Sequence, residues 1–256
     1  MQDLDDLLSV QLYSLRALGE LDAILAAVAS AGYTQVELIG DQLMAPATTA
    51  NSLAQAGLKA SSSHIGLAEL NNQLPAVIEA SQALGVDRLY MPAVPEDQRQ
   101  MPASGWRALG QQLAEQSERL AQHGIALGYH NHDWELALQD DGLTALDHLF
   151  DAAGPAPLTF EADLAWLQRG GADPYAWLTR YRDRIDAAHV KDLAGPDADP
   201  REEGWADVGH GIMDWPAYWP AALSAGATLM VVEHDQPLNP AQSIKRSRDY
   251  LKELLN

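Results

Sequence analysis

A chain of 256 residues, 47% of them hydrophobic, is long enough to close one large α/β domain, and its formal charge of −20, from 36 acids against 16 bases, opposes binding to nucleic-acid phosphates or anionic lipid. The absence of cysteine excludes disulfides, thiolate zinc sites and a cysteine nucleophile, so any metal must be held by nitrogen and oxygen. The acidic start Met1-Gln2-Asp3-Leu4-Asp5-Asp6 lacks the basic residues of a secretory leader, and no apolar run approaches the ~20 residues of a membrane span, so a cytoplasmic protein is expected.

Short β-like runs alternate with longer amphipathic segments from one end to the other, the pattern of parallel strands joined by helices. Strands are predicted at 10–13, 35–39, 59–65, 88–94, 126–132, 158–164, 185–191 and 228–234. That set closes a (β/α)8 TIM barrel, read here as a single domain over residues 1–256. Helices are predicted at 21–31, 74–84, 106–122 and 143–153, and Pro174 after Asp173 and Pro240 after Asn239 mark two further helix starts. Gly32, Gly57, Gly85, Gly124 and Gly226 each fall between an apolar helical segment and a strand, where left-handed helix caps are usual. The longest irregular stretch, 194–215, contains Gly195-Pro196, Pro200 and Gly209-His210-Gly211 and has the length of a lid or substrate loop.

In such a barrel the carboxyl ends of the strands converge on one mouth. Strand five ends in His130-Asn131-His132, with Glu135 just beyond; strand six ends in Glu161-Ala162-Asp163. Strand seven ends in His189-Val190-Lys191-Asp192 and strand eight in Glu233-His234-Asp235. Carboxylates mixed with imidazoles suit one divalent cation, Mn2+, Zn2+, Co2+ or Mg2+.

Several stretches carry a family resemblance when taken in order: Gln11-Leu12-Tyr13-Ser14-Leu15-Arg16, Gly32-Tyr33-Thr34-Gln35-Val36-Glu37-Leu38, His64, Tyr129-His130-Asn131-His132, Glu161-Ala162-Asp163-Leu164-Ala165-Trp166, His189-Val190-Lys191-Asp192, Gly209-His210-Gly211 and Val232-Glu233-His234-Asp235. Over essentially its full length the chain resembles the xylose-isomerase-like barrel superfamily, the sugar phosphate isomerase/epimerase group. The resemblance implies a small carbohydrate substrate and a divalent metal, with Asp163, His189 and Glu233 as three of its ligands. The fourth departs from the pattern, because the usual Glu-Asn-His triplet reads His130-Asn131-His132. Either His130 replaces that glutamate, or Glu161, two residues before Asp163 on the same strand face, rebuilds the site. A histidine often found three residues after the strand-six aspartate is Trp166 here.

The resemblance further implies proton abstraction beside a carbonyl by a pair of glutamates. With one missing, Glu233 keeps its part and the second acid/base falls to His130, His132, Glu135 or Glu161. Lys191 is a candidate for neutralising a substrate oxygen, against the plainer reading of a lysine paired with Asp192 or another acid. His64, Trp166 and His210 are candidate substrate contacts, and Trp134 and Trp215 could stack on a sugar ring or simply pack. The leading reading is a metal-dependent sugar isomerase/epimerase, with a lyase or hydrolase of 3-keto-glycosides as the alternative. An endonuclease IV-like nuclease and a silent sugar-binding protein are less favoured. Few bases beyond Arg16 and Lys191 are expected near the mouth, which points to a neutral or weakly charged polyol rather than a phosphorylated sugar. Oligomeric state is left open, with a homodimer among the alternatives.

Overall fold

Eight parallel strands form a nearly closed barrel with helices between them in the computed structural model, which describes residues 4–196 and 198–255. The strands are β1 (Leu8–Val10), β2 (Gln35–Leu38), β3 (Lys59–His64), β4 (Arg88–Met91), β5 (Ala126–His130), β6 (Leu158–Asp163), β7 (Ile185–Val190) and β8 (Leu229–Val232). β8 pairs with both β7 and β1, and the remaining seam, between β1 and β2, is spanned by a parallel bridge from Gln11 to Glu37. There the Gln11 side-chain amide donates to Glu37 Oε1 at 2.8 Å.

Parallel neighbours need a crossover, and the helices supply it. Leu21–Ala31, for example, returns the chain from β1 to β2 and stops at Gly32, whose φ of 91° is open to glycine and costly for other residues. Alternation along each strand sends one set of side chains outward and the other inward. Leu127, Tyr129, Phe160, Ala162, Ala188, Val190, Met230 and Val232 face outward and join the main core under the helices. Inside the barrel the apolar packing is a separate small cluster of Tyr90, Ala187, Leu229 and Val231. The mouth half of the interior is polar and buried.

Three expectations are corrected. The first strand ends at Val10, and Leu12–Leu18 is a 3-10 helix in place of a strand at 10–13. The cause is Gln11, whose side-chain oxygen accepts from the Tyr13 amide at 3.1 Å while its amide group holds Glu37. The 194–215 stretch is also less irregular than expected, because Trp205–Ala206 pairs antiparallel with Asp192–Leu193. Asp192 then accepts from the amides of Gly209 and Met213 at 2.8 and 2.9 Å, and Gly211 passes so close to Asp192 and the Leu193 carbonyl that a Cβ has no room. β4, β5 and β8 stop two or three residues short of the expected ends, so His132 and Glu233 follow their strands rather than lie within them.

The long helix Ala103–Ala121 packs on Ala145–Ala153 through Gly110, where a Cβ would run into the Leu149 carbonyl. Helix propensity alone favours alanine at that position by about 1 kcal/mol. Gly110→Ala is nevertheless expected to destabilise the protein by roughly 1–3 kcal/mol, because backbone must move. A denaturant midpoint at or above wild type would show that the helix pair is not in this close contact.

Candidate functional site

The inward residues at the carboxyl ends of the strands form one buried cluster. Register sets His130 opposite Glu161 and Asp163 opposite His189, and pairing slips by one residue beside Glu37 and beside Glu161, irregularities that re-aim side chains. In the deeper layer, Glu161 Oε2 sits among three imidazole nitrogens, His64 Nε2 at 2.8 Å, His130 Nδ1 at 3.1 Å and His189 Nε2 at 3.2 Å. Glu37 Oε1 takes His189 Nε2 at 2.8 Å and His64 Nε2 at 3.2 Å, while Ser62 donates to its Oε2 at 2.6 Å.

The opposite nitrogens face the mouth. His189 Nδ1 lies 3.0 Å from Glu233 Oε2, and both His189 Nδ1 and His130 Nε2 lie 3.9 Å from Asp163 Oδ2. Asp163 Oδ1 caps the following helix by accepting from the Trp166 amide, whereas its Oδ2 is buried without a hydrogen bond. Glu161 Oε1 is likewise buried and unpartnered. Lys191 Nζ joins the rim, 3.0 Å from Glu233 Oε2, 2.7 Å from Asp235 and 3.4 Å from Asp163 Oδ2.

Burial and charge divide the titrating groups. Burial alone pulls the His64 pKa down, but Glu37 and Glu161 outweigh it and push the value up to about 10. His189 is raised in the same way, against burial, by Glu161 and Glu233. Burial and the neighbouring His189 hold His130 well below its usual range, and burial and Lys191 do the same to His132, so both rings are neutral at pH 7. Glu233 is held far below the carboxylate range because Lys191 and His189 overcome its burial, while burial of Asp163 outweighs Lys191 and His189 and lifts it to about 6.

A cavity of about 580 Å3 opens over this cluster. His64, His130, His132 and Glu233 are on its floor, Trp134, Trp166 and Trp205 on its walls, and Arg16, Arg99 and Arg169 at its rim. A larger hollow of about 840 Å3 between Glu96 and Asp141 reaches none of the buried histidines and carries no comparable chemistry. His132 stacks on Trp134 with ring centroids 4.0 Å apart, and its Nδ1 has no partner.

The structure brings together His64, His130, Glu161, Asp163, His189, Lys191 and Glu233. It separates three others. Glu135 is turned to the outside of β5, fully buried, where it accepts from the Tyr129 hydroxyl at 2.7 Å and the His132 amide at 2.8 Å; it braces His132 from behind. His210 is exposed beside a different hollow lined by Asp199, Glu202 and Arg246. Trp215 is buried in the core with its indole donating to the Lys191 carbonyl at 3.1 Å. Lys191 itself lies under the Trp205 ring, 4.5 Å from its centroid, below the cavity lining and tied to acids rather than facing a ligand. Sequence reasoning gave no role to Glu37, Gln11, Arg99, Arg169 or Trp205. A glutamate on the inward phase of the apolar run Val36-Glu37-Leu38 is the one signal that could have found Glu37.

Among the described residues, two overlapping groups could hold a metal ion: His64, His130, Glu161 and His189, or His130, Asp163, His189 and Glu233, with candidate atoms within 4.8 Å of one another in each. Tetrahedral donors about 2.0–2.2 Å from one ion stand roughly 3.3 Å apart, so the 3.0–3.9 Å spacings around His189 and Asp163 fit a single cation. Charge fits as well, because the carboxylates of Glu37, Glu161, Asp163, Glu233 and Asp235 face only Lys191 and the two protonated histidines.

Among known proteins, the family model described as xylose isomerase-like TIM barrel matches residues 25–254. An inosose dehydratase from Lacticaseibacillus casei is 24% identical over 196 residues, which cover 70% of this chain and 65% of that relative. A sugar phosphate isomerase/epimerase from Parabacteroides distasonis superposes with a TM-score of 0.78 at 21% identity, covering 96% of this chain and 94% of the other. The 3-keto-D-glucoside 4-epimerase of E. coli gives 0.69 at 15% identity, covering 96% and 98%. At such identities these structures speak to the fold.

Burial raises the Glu135 pKa to about 7, against the opposing hydrogen bonds from Tyr129 and His132. A folded-state pKa raised above an unfolded value near 4.3 means stability fully present below that pH and lost as pH rises through about 7. Glu135→Gln keeps the shape and removes the titration. Between pH 5 and 8 the wild type should therefore lose on the order of 3 kcal/mol relative to this variant. Parallel denaturation curves that stay a constant distance apart would contradict the assignment.

Proposed function

Because the chain belongs to the xylose isomerase-like TIM barrel family, we propose that it is an enzyme that removes a proton beside the carbonyl of a small keto-carbohydrate, with one divalent cation held by His130, Asp163, His189 and Glu233. The observation that carries this reading is Asp163 Oδ2, an acceptor deprived of water and hydrogen bond at a point where His130 Nε2, His189 Nδ1 and Glu233 converge. This set is preferred to the deeper one because it leaves each imidazole its second nitrogen for a carboxylate, His130 Nδ1 for Glu161 and His189 Nε2 for Glu37. In the deeper set Glu161 Oε2 already receives three nitrogens. His130 thus takes the place of the family's strand-five carboxylate, and Glu161 orients it. When bound, the cation supplies a Lewis acid for the substrate carbonyl.

The chain's own residues handle the proton. Glu233 is ionised and reaches the cavity floor, so it can accept the proton next to the carbonyl. His132 is neutral, open to the cavity and fixed by Trp134 and by the Glu135 brace on its backbone. In epimerisation one of the two takes a proton and the other returns one. Elimination is the second reading. It is favoured by His130 standing where a second carboxylate would be, since a single base such as His132 can carry the proton from carbon to a departing hydroxyl, which leaves as water as the double bond forms. The sequence relative that is an inosose dehydratase supports the same alternative.

Purified protein supplied with Mn2+, Zn2+, Co2+ or Mg2+ in D2O and offered ketoses, inososes and 3-keto-glycosides should place deuterium beside the carbonyl. A recovered isomer supports epimerisation, a dehydrated product supports elimination, and unlabelled sugars throughout would refute the proposal. Metal titration gives an independent check. Asp163→Ala and His189→Ala should lose the bound ion, and Glu37→Gln should weaken it roughly 10–100-fold without unfolding the protein. Affinity unchanged in all three would refute the assigned ligands.

A further inference from the structure

The arginines at the rim stand out against the acidity of the whole chain. Arg16, Arg99 and Arg169 line the cavity, and each guanidinium lies over an aromatic face: 3.9 Å from the Tyr13 centroid, 3.8 Å from that of Trp134 and 4.6 Å from that of Trp205. Among the described residues none of the three has a carboxylate oxygen within 4.0 Å. Elsewhere in a chain with 36 acids, Arg88, Arg107, Arg180, Arg201, Arg246 and Arg248 each pair with an aspartate, while among the described residues Arg119, Arg182 and Arg184 do not. Arg16 instead donates to the Tyr13 carbonyl and the Gln236 side-chain oxygen, at 2.8 and 2.7 Å, and Arg169 to the Glu203 carbonyl at 3.1 Å. The Arg99 guanidinium makes no hydrogen bond to a described residue, and its Nε is buried without a partner.

Stacking on a ring orients a guanidinium while leaving N–H groups free for a ligand. Of the three acids that line the cavity, Glu203 has no cation within 4.0 Å among the described residues and offsets part of this charge, while the other two already hold cations. Asp235 is paired with Lys191 at 2.7 Å, and Glu233 shares Lys191 and His189. The expectation of a neutral substrate rested on a shortage of bases at the mouth, and Arg99 and Arg169 remove that ground. We infer that Arg16, Arg99 and Arg169 bind a terminal oxyanion of the substrate, a carboxylate or a phosphate, while its carbonyl end lies over the buried histidines. This rests on the proposed keto-carbohydrate chemistry and adds the charge class of the substrate. The forked N–H groups of arginine match either oxyanion and discriminate against the corresponding alcohol.

D-fructose, D-fructuronate and D-fructose 6-phosphate differ only at carbon six and serve as probes in calorimetric titration of the protein at fixed metal content. At least one charged sugar should bind about tenfold or more tightly than fructose, with an advantage that shrinks as salt is raised. The tighter of the two identifies the oxyanion. Arg99→Gln and Arg169→Gln, checked for unchanged circular dichroism, should each bring the ratio of charged-sugar to fructose affinity most of the way down to one. Fructose binding as tightly as both charged sugars, no binding by either charged sugar, or an advantage that survives both substitutions would overturn the oxyanion site. Deuterium exchange separates this from the underlying reading: exchange without charge preference sinks the arginine site alone, and charge preference without exchange in any sugar sinks the proton-abstraction chemistry.

Discussion

The constraint on which this protein depends is the removal of several carboxylates from water inside a closed barrel. Glu37, Glu161 and Asp163 are fully buried and Glu233 nearly so, and an ion placed there costs several kcal/mol even after the surroundings relax. Such a cost is met only where other groups lie close enough to return it. The histidines of β3, β5 and β7 do so in the deeper layer, with Gln11 and Ser62 completing the shell of Glu37. Filling the same volume with aliphatic side chains often serves stability as well or better. The presence of this cluster therefore speaks for chemistry, and the buried oxygens of Glu161 and Asp163 that accept no hydrogen bond say where the shell is left unfinished.

Architecture follows from the same constraint. Among the described residues, apolar packing inside the barrel is limited to four, and stability rests on the continuous shell between strands and helices. The seam between β1 and β2 is held by Gln11 and Glu37, so one glutamate both closes the barrel and orients His189. Farther out, Asp192 ties down the loop after β7, and that loop delivers Trp205 to the cavity wall over Lys191. The buried charges, the fixed loop and the stacked rim arginines form one gradient, from ions locked among counter-ions to cations held by aromatic faces without a carboxylate partner.

Much of this was legible in the sequence, because the barrel has a strong period and its mouth gathers strand ends. Asp163, His189 and Glu233 could be placed near one another from their strand positions alone, and register then put His130 and Glu161 side by side. What the period does not carry is direction beyond a strand end. Glu135 and His132 are three residues apart, yet one faces the cavity and the other lies behind the strand against Tyr129. Arg99 and Arg169 leave no trace in sequence, since each comes from a short helical turn whose approach to the mouth is set by stacking on Trp134, Trp166 and Trp205. Gln11 reads as a strand residue until its side chain is seen to end the strand.

The central claim is that the unfinished pairing at Asp163 is completed by a cation bound through His130 and His189. X-ray absorption of the Co2+-loaded protein tests it most directly. Two imidazoles together with carboxylate oxygens in the inner coordination sphere are the predicted result, with the scattering of one imidazole lost in His130→Ala. A fully hydrated ion, or a spectrum that His130→Ala leaves unchanged, would contradict it.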